Sequence, residues 1–212
     1  MNAHHVLQPA GSDAGTVSQL WWGFLGITTV VYLLVMVVLC VAIGRARSGV
    51  GSSPDSRLRS DARSRIVVGA AMAASLVILL VMLAGDFLLG KDVLGERSPE
   101  GEPVRITITG HQFWWQLEYD AETPGDRVST ANELVEPVNT PIELSLRSTD
   151  VIHSFWLPAL AGKKDLIPGL TNTLRFSVLR EGTYEGQCAE FCGYQHANMR
   201  TRLKAVPPAE FE

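Results

Sequence analysis

From Leu20 to Ile43 the chain carries no charged residue. A helix rising about 1.5 Å per residue crosses a bilayer over such a run. A second uncharged run, Ile66 to Gly85, continues past Asp86 through Phe87, Leu88 and Leu89. Neither run has the polar face that a long helix of a water-soluble protein needs. The pattern predicts helices over 18–44 and 64–90, forming a transmembrane hairpin within 20–90. Between the runs, Arg45, Arg47, Arg57, Arg59, Arg63 and Arg65 outnumber Asp55 and Asp61. A short arginine-rich loop stays in the cytoplasm, so both termini are expected on the other side, in the periplasm or its equivalent. Trp21 and Trp22 stand where an outer aromatic belt belongs. The first run is longer than a signal-peptide core and lacks a small-residue cleavage site. Leu39 before Cys40 argues against a lipoprotein signal, leaving Cys40 as a small residue of a membrane helix.

Outside the hairpin the texture changes. Residues 1–19 are polar and small, and are expected to be flexible; 91–103, rich in Gly, Pro and charge, reads as a linker. From 104 to 212 the period becomes two. "VRITITG" (104–110), "PIELSLRS" (141–148), "TLRFSVL" (173–179) and "RTRLKAV" (200–206) alternate apolar with polar, and "FWWQLEY" (113–119) is aromatic and β-prone. Pro124-Gly125, Pro141, Pro168-Gly169 and Gly182 separate them. Short strands so spaced predict an all-β sandwich or barrel on the extracytoplasmic side.

The formal net charge of −4, with no basic cluster beside aromatics, excludes a nucleic-acid partner. The chemistry concentrates in "GQCAEFCGYQHANM" (186–199), which holds Cys188, Cys192, His196 and Met199. A disulfide between cysteines four apart closes too short a loop to gain much and gives no reason for the His and Met that follow. Zinc has no use for a thioether. Thiolate, imidazole and thioether together favour copper, and a mononuclear blue-copper site needs only one cysteine. Two thiolates that can each serve two ions, with one imidazole per ion, point to a two-copper centre. The second imidazole must come from elsewhere; His153 and His111 both follow alternating strands and compete for it.

The run from Cys188 to Met199 resembles the CuA signature of cytochrome c oxidase subunit II. "GHQFWWQLEY" (110–119), "DVIHSFWLP" (150–158), "KKDLIPG" (163–169) and the two-helix anchor extend the likeness over nearly the whole chain. The resemblance implies a cupredoxin-like Greek-key sandwich. It implies copper ligation by His153, Cys188, Cys192, His196 and Met199 with the backbone carbonyl of Glu190, and it sets His111 aside. It also implies a magnesium ion, shared with subunit I, on the Glu190 side chain. The activity implied is electron transfer: cytochrome c reduces CuA, and the electron passes to haem in subunit I, where oxygen becomes water and protons are pumped. The partners implied are subunit I, further oxidase subunits and a separate cytochrome c, since no Cys-x-x-Cys-His motif occurs in the sequence.

Glu118, Asp120, Glu122, Asp126 and Asp150 are candidates for an acidic docking face. The family carries a tryptophan directly after "GHQ", where the electron enters; this chain has Phe113 there, followed by Trp114 and Trp115, so the three share the expectation. Arg63, Ser64 and Arg65 stand where many relatives have a proton-path glutamate. A quinol oxidase subunit would lack the copper ligands, and nitrous oxide reductase lacks the helical anchor. The alternative from another class is a membrane-anchored copper-handling protein without an oxidase partner.

Overall fold

The computed structural model describes residues 7–47, 54–93, 101–120 and 127–211, with backbone only for 54–62 and 91–93. Residues 19–89 form one compact unit; residues 90–212, joined by the first eighteen, form a second.

The first unit is helical. α1 (Ser12–Arg47) and α2 (Pro54–Val93) both extend past the expected 18–44 and 64–90. Pro54 begins α2, where its missing N–H costs nothing, and Arg45 and Arg47 oppose the dipole at the end of α1. Their apolar stretches have no buried window; Val30, Leu34 and Ile66 are each more than three-fifths exposed. Helices that are apolar all round are built for a lipid surround, and both are long and apolar enough to cross a membrane.

The second unit is a two-sheet β-sandwich. Its strands are β1 (Val104–His111), β2 (Trp114–Tyr119), β3 (Val128–Ala131), β4 (Glu133–Pro137), β5 (Pro141–Ser148), β6 (His153–Trp156), β7 (Lys164–Leu166), β8 (Asn172–Ser177), β9 (Gly182–Cys188) and β10 (Arg200–Val206), with a final turn of helix α3 (Pro208–Phe211). One sheet runs β3-β2-β1-β5-β8, the other β4-β10-β9-β6-β7. The period of two sends Ile106 and Ile108 of β1, Leu117 of β2, and Ile142, Leu144 and Leu146 of β5 inward, against Leu134, Phe155 and Leu203 of the facing sheet. The pairs β1·β5 and β4·β10 are parallel. Parallel neighbours need a crossover, and here the chain from β1 to β5 makes it by visiting β4 in the other sheet. The expected all-β sandwich after a two-helix pair is therefore the observed architecture.

Within 1–19, expected to be flexible, the chain from Pro9 onward is bonded to the sandwich. The N–H groups of Ala10 and Gly11 donate to Ala159 O at 2.7 and 3.2 Å, Leu179 N–H donates to Ala10 O at 2.8 Å, and Arg180 donates to Pro9 O. Ala10 and Ala14 are buried. Small residues that read as loop in the sequence are what lets this backbone lie close enough to the sandwich to bond with it. Residues 1–6, with His4 and His5, lie outside the described residues.

Candidate metal centre

The site grows out of two strand pairings at one end of the second sheet. β9 and β10 are antiparallel, and Cys188 N–H donates to Met199 O at 2.9 Å, so both ends of the intervening loop are pinned together. β6 pairs with β9 at Phe155↔Cys188, which brings His153, the first residue of β6, beside the cysteine that ends β9. A 3₁₀ turn, His196–Asn198, returns the loop to β10. Ala189 N–H donates to Ser154 O at 2.9 Å and closes the loop against β6.

These pairings gather one donor set. The Cys188 and Cys192 sulfurs are 3.8 Å apart and unbonded, which removes the disulfide. His153 Nδ1 lies 3.9 Å from Cys188 Sγ, and His196 Nδ1 lies 3.6 Å from Cys192 Sγ. Met199 Sδ is 3.8 Å from Cys192 Sγ, and Glu190 O is 3.2 Å from Cys188 Sγ. The donor atoms of His153, Cys188 and Cys192 all lie within 4.8 Å of one another. All six expected ligands thus converge, and His111 stays outside. It stacks on Trp114 with centroids 4.6 Å apart, and its ring nitrogens face Thr149 Oγ1 at 2.9 Å and Gln116 Oε1 at 3.2 Å.

His153 is fully buried. Its Nε2–H donates to Asp150 Oδ1 at 2.8 Å, which fixes the tautomer and leaves Nδ1 a free lone pair facing the thiols. Asp150 also accepts Val151 N–H at 2.6 Å and Gln112 N–H at 2.7 Å. Gly110 makes the seat: a Cβ there would stand 2.8 Å from His153 Cδ2. Burial alone would lower the His153 pKa; the contacts with Cys188 and Asp150 outweigh it and raise it. Burial likewise opposes ionisation of Asp150 and Cys188. Hydrogen bonds from His153, Val151 and Gln112 nevertheless bring Asp150 down, and the contact with the His153 ring together with the neighbouring backbone of Ser154 and Glu190 brings Cys188 down to about 6. Cys192 goes the other way, to about 12, through burial and repulsion from Cys188. Without a cation, ionisation of Cys188 makes ionisation of Cys192 harder. A second thiolate requires positive charge between the sulfurs, so the residues present fit a soft metal centre.

The docking and electron-uptake candidates separate. Trp114 is 38% exposed. Phe113 is half-buried, with its ring against Gly193. Trp115 is fully buried, edge-on to His153 and Phe155 at centroid distances of 5.9 and 5.3 Å. Of the three aromatic candidates, Trp115 is thus a core residue packed behind His153. Asp120 is exposed, while Glu118 is half-buried and accepts from Gln116 Nε2 at 3.1 Å. Glu122 and Asp126 lie outside the described residues. The Glu190 carboxylate faces outward, 3.8 Å from Lys163 Nζ. Sequence reasoning missed the tie from Asp150 to His153. The signal available was an acid three residues before the candidate ligand.

Residues 121–206 match the family profile described as cytochrome C oxidase subunit II, periplasmic domain. The chain is 38% identical over 140 residues to the cytochrome c oxidase subunit 2 of Alkalihalophilus pseudofirmus, an alignment covering 64% of this chain and 40% of that protein. It is 32% identical over 134 residues to the protein of the same name from Synechocystis sp., covering 63% and 39%. The chain thus spans about two fifths of the length of these curated relatives. Among solved structures, it is similar to the periplasmic domain of subunit II of cytochrome oxidase of Bradyrhizobium japonicum, with 32% identity, a TM-score of 0.49, and coverage of 54% of this chain and 91% of that one. With its apolar helices, its sandwich and its gathered soft donors, the chain is similar to cytochrome c oxidase subunit II, and residues 121–206 carry that family's periplasmic domain.

Proposed function

We propose that the β-domain holds a two-copper CuA centre that receives electrons from cytochrome c and passes them to haem in subunit I of an oxidase that reduces oxygen to water and translocates protons. The observation that carries this reading is the pair of unbonded thiols 3.8 Å apart, each with its own imidazole at 3.9 and 3.6 Å. Cys188 and Cys192 would supply the thiolates that hold the centre, His153 and His196 the imidazoles, and Met199 and the Glu190 carbonyl weaker contacts. When bound, the copper pair supplies a one-electron carrier.

The chain's own residues do the rest. Asp150 holds the His153 ring so that Nδ1 stays on the thiols. Trp115, Phe155 and Met199, all fully buried, keep water from the sulfurs and stiffen the walls. A proton still held by the cysteines leaves when the cations bind. Trp114 offers an exposed indole for electron uptake, and Phe113 a ring against the metal loop. Asp120, Asp150 and Glu118 give negative charge toward a basic donor. The outward Glu190 carboxylate is the candidate magnesium ligand at the subunit I interface. The anchoring of Pro9–Gly15 on the sandwich supports a topology with the N-terminus and the β-domain on the same, periplasmic side, and the arginine-rich loop in the cytoplasm.

The test is stopped-flow mixing of reduced cytochrome c with the purified copper-loaded full chain. The donor should be oxidised rapidly at low ionic strength and more slowly as salt rises. No electron transfer to the loaded chain would contradict the proposal.

A further inference from the structure

We infer that Gln112, which is no ligand, is a positioning residue that latches the metal loop to the His153 side of the centre. The inference rests on the copper reading, and its geometry lies in the turn between β1 and β2. Gln112 and Phe113 form that turn, and the peptide between them is cis. The backbone N–H of Gln112 donates to Asp150 Oδ2 at 2.7 Å, and Asp150 Oδ1 accepts from His153 Nε2 at 2.8 Å. The side-chain amide of Gln112 donates to the carbonyl oxygen of Cys192. A carbonyl only accepts, so the Nε2 end of the amide must face it. One residue therefore touches both halves of the donor set: the buried histidine through Asp150, and the second cysteine directly.

The loop backbone is shaped to receive it. Gly193 follows Cys192 with φ +131°, and a Cβ on it would stand 2.8 Å from Gln112 Nε2 and 3.1 Å from Phe113 Cε1. The β1–β2 turn thus lies directly on loop backbone with no side chain between. His196 N–H donates to Gly193 O at 3.1 Å, so the turn that carries the second imidazole starts from the latched residue. His153 is held by a strand and by Asp150. Among the described residues, the Gln112 amide is the side chain outside the loop that fixes Cys192 and, through Gly193, His196. Loss of the donor should leave the ligands in place but let that half of the set move.

The test uses the full chain with Gln112→Met, which keeps the length and loses the donor, and Gln112→Ala. In the metal-free chain, amide exchange at Gly193 to Asn198 should speed up about fivefold in both variants, the factor that one net hydrogen bond is worth, with the global folding equilibrium weakened by no more than that same factor. After copper loading, both variants should keep two ions per chain while their paramagnetic resonance hyperfine pattern changes. A Gln112→Met chain that matches the parent in exchange and spectrum would reduce Gln112 to packing and overturn the inference. If the parent itself takes up no copper, the copper reading fails, while the exchange comparison still decides the latch.

Discussion

Two fully buried polar side chains of the same sandwich are treated in opposite ways. His153, where β6 begins, has a carboxylate on one ring nitrogen and a thiol near the other, with a glycine opened to seat it. Glu136, on β4 away from the metal loop, has neither carboxyl oxygen in a hydrogen bond. Its polar neighbour, the Tyr119 hydroxyl, gives its proton to Val135 O at 2.9 Å and accepts Val135 N–H at 2.8 Å. Burial pushes the Glu136 carboxyl well above its ordinary 4.5, and Tyr119 offsets only part of that. Burial is thus no sign of function by itself. What marks His153 is that its buried ring is held by a carboxylate and aimed at the thiols, whereas Glu136 is merely kept neutral at a cost.

The largest effect expected to sharpen this contrast is at the histidines. His153→Ala in the metal-free chain should cost about 3 kcal/mol, from a lost buried ring and a stranded Asp150. The same change at half-exposed His196 should stay within about 0.5 kcal/mol, although both remove a proposed copper ligand. Thermal unfolding of the two variants decides it; equal losses would break the claim that one half of the site belongs to the scaffold and the other to the loop.

Glu136→Gln gives an effect of the other sign, whose size depends on pH. A group whose folded pKa is raised stabilises fully below its unfolded pKa and loses that contribution as pH rises toward the folded value. The parent should therefore fall behind the variant above about pH 4.5, by up to ~1.4 kcal/mol per pH unit until its folded pKa is reached. Denaturant titrations from pH 4 to 8 should show the gap widening, and a constant gap would mean that Glu136 is ionised in the fold.

The sequence was most legible where one period held without interruption. The strands of "VRITITG", "PIELSLRS" and "RTRLKAV" are β1, β5 and β10, because each has one face in the core. β6 was missed because "HSFW" is buried on nearly every position and shows no alternation. β9 was missed because Gly182 and Gly186 break its pattern, and edge strands β3 and β7 because they are short. That Cys188, Cys192, His196 and Met199 gather at one place was legible because soft donors are rare and their spacing carries chemistry. Asp150 stands only three residues before His153, so its tie was open to sequence reasoning and went unread; Gln112 was not legible in its role, since it reaches Cys192, far away in sequence, across the sandwich end. The docking of Pro9–Gly15 escaped for the same reason, being made by backbone rather than by side chains.

The account's central claim is that Cys188 and Cys192 hold two redox ions together. Metal counting with electron paramagnetic resonance on the copper-loaded full chain tests it most directly. Two coppers per chain with a seven-line hyperfine pattern are expected; one copper with a four-line pattern, or a chain whose two cysteines are oxidised to each other while it still transfers electrons, would contradict it.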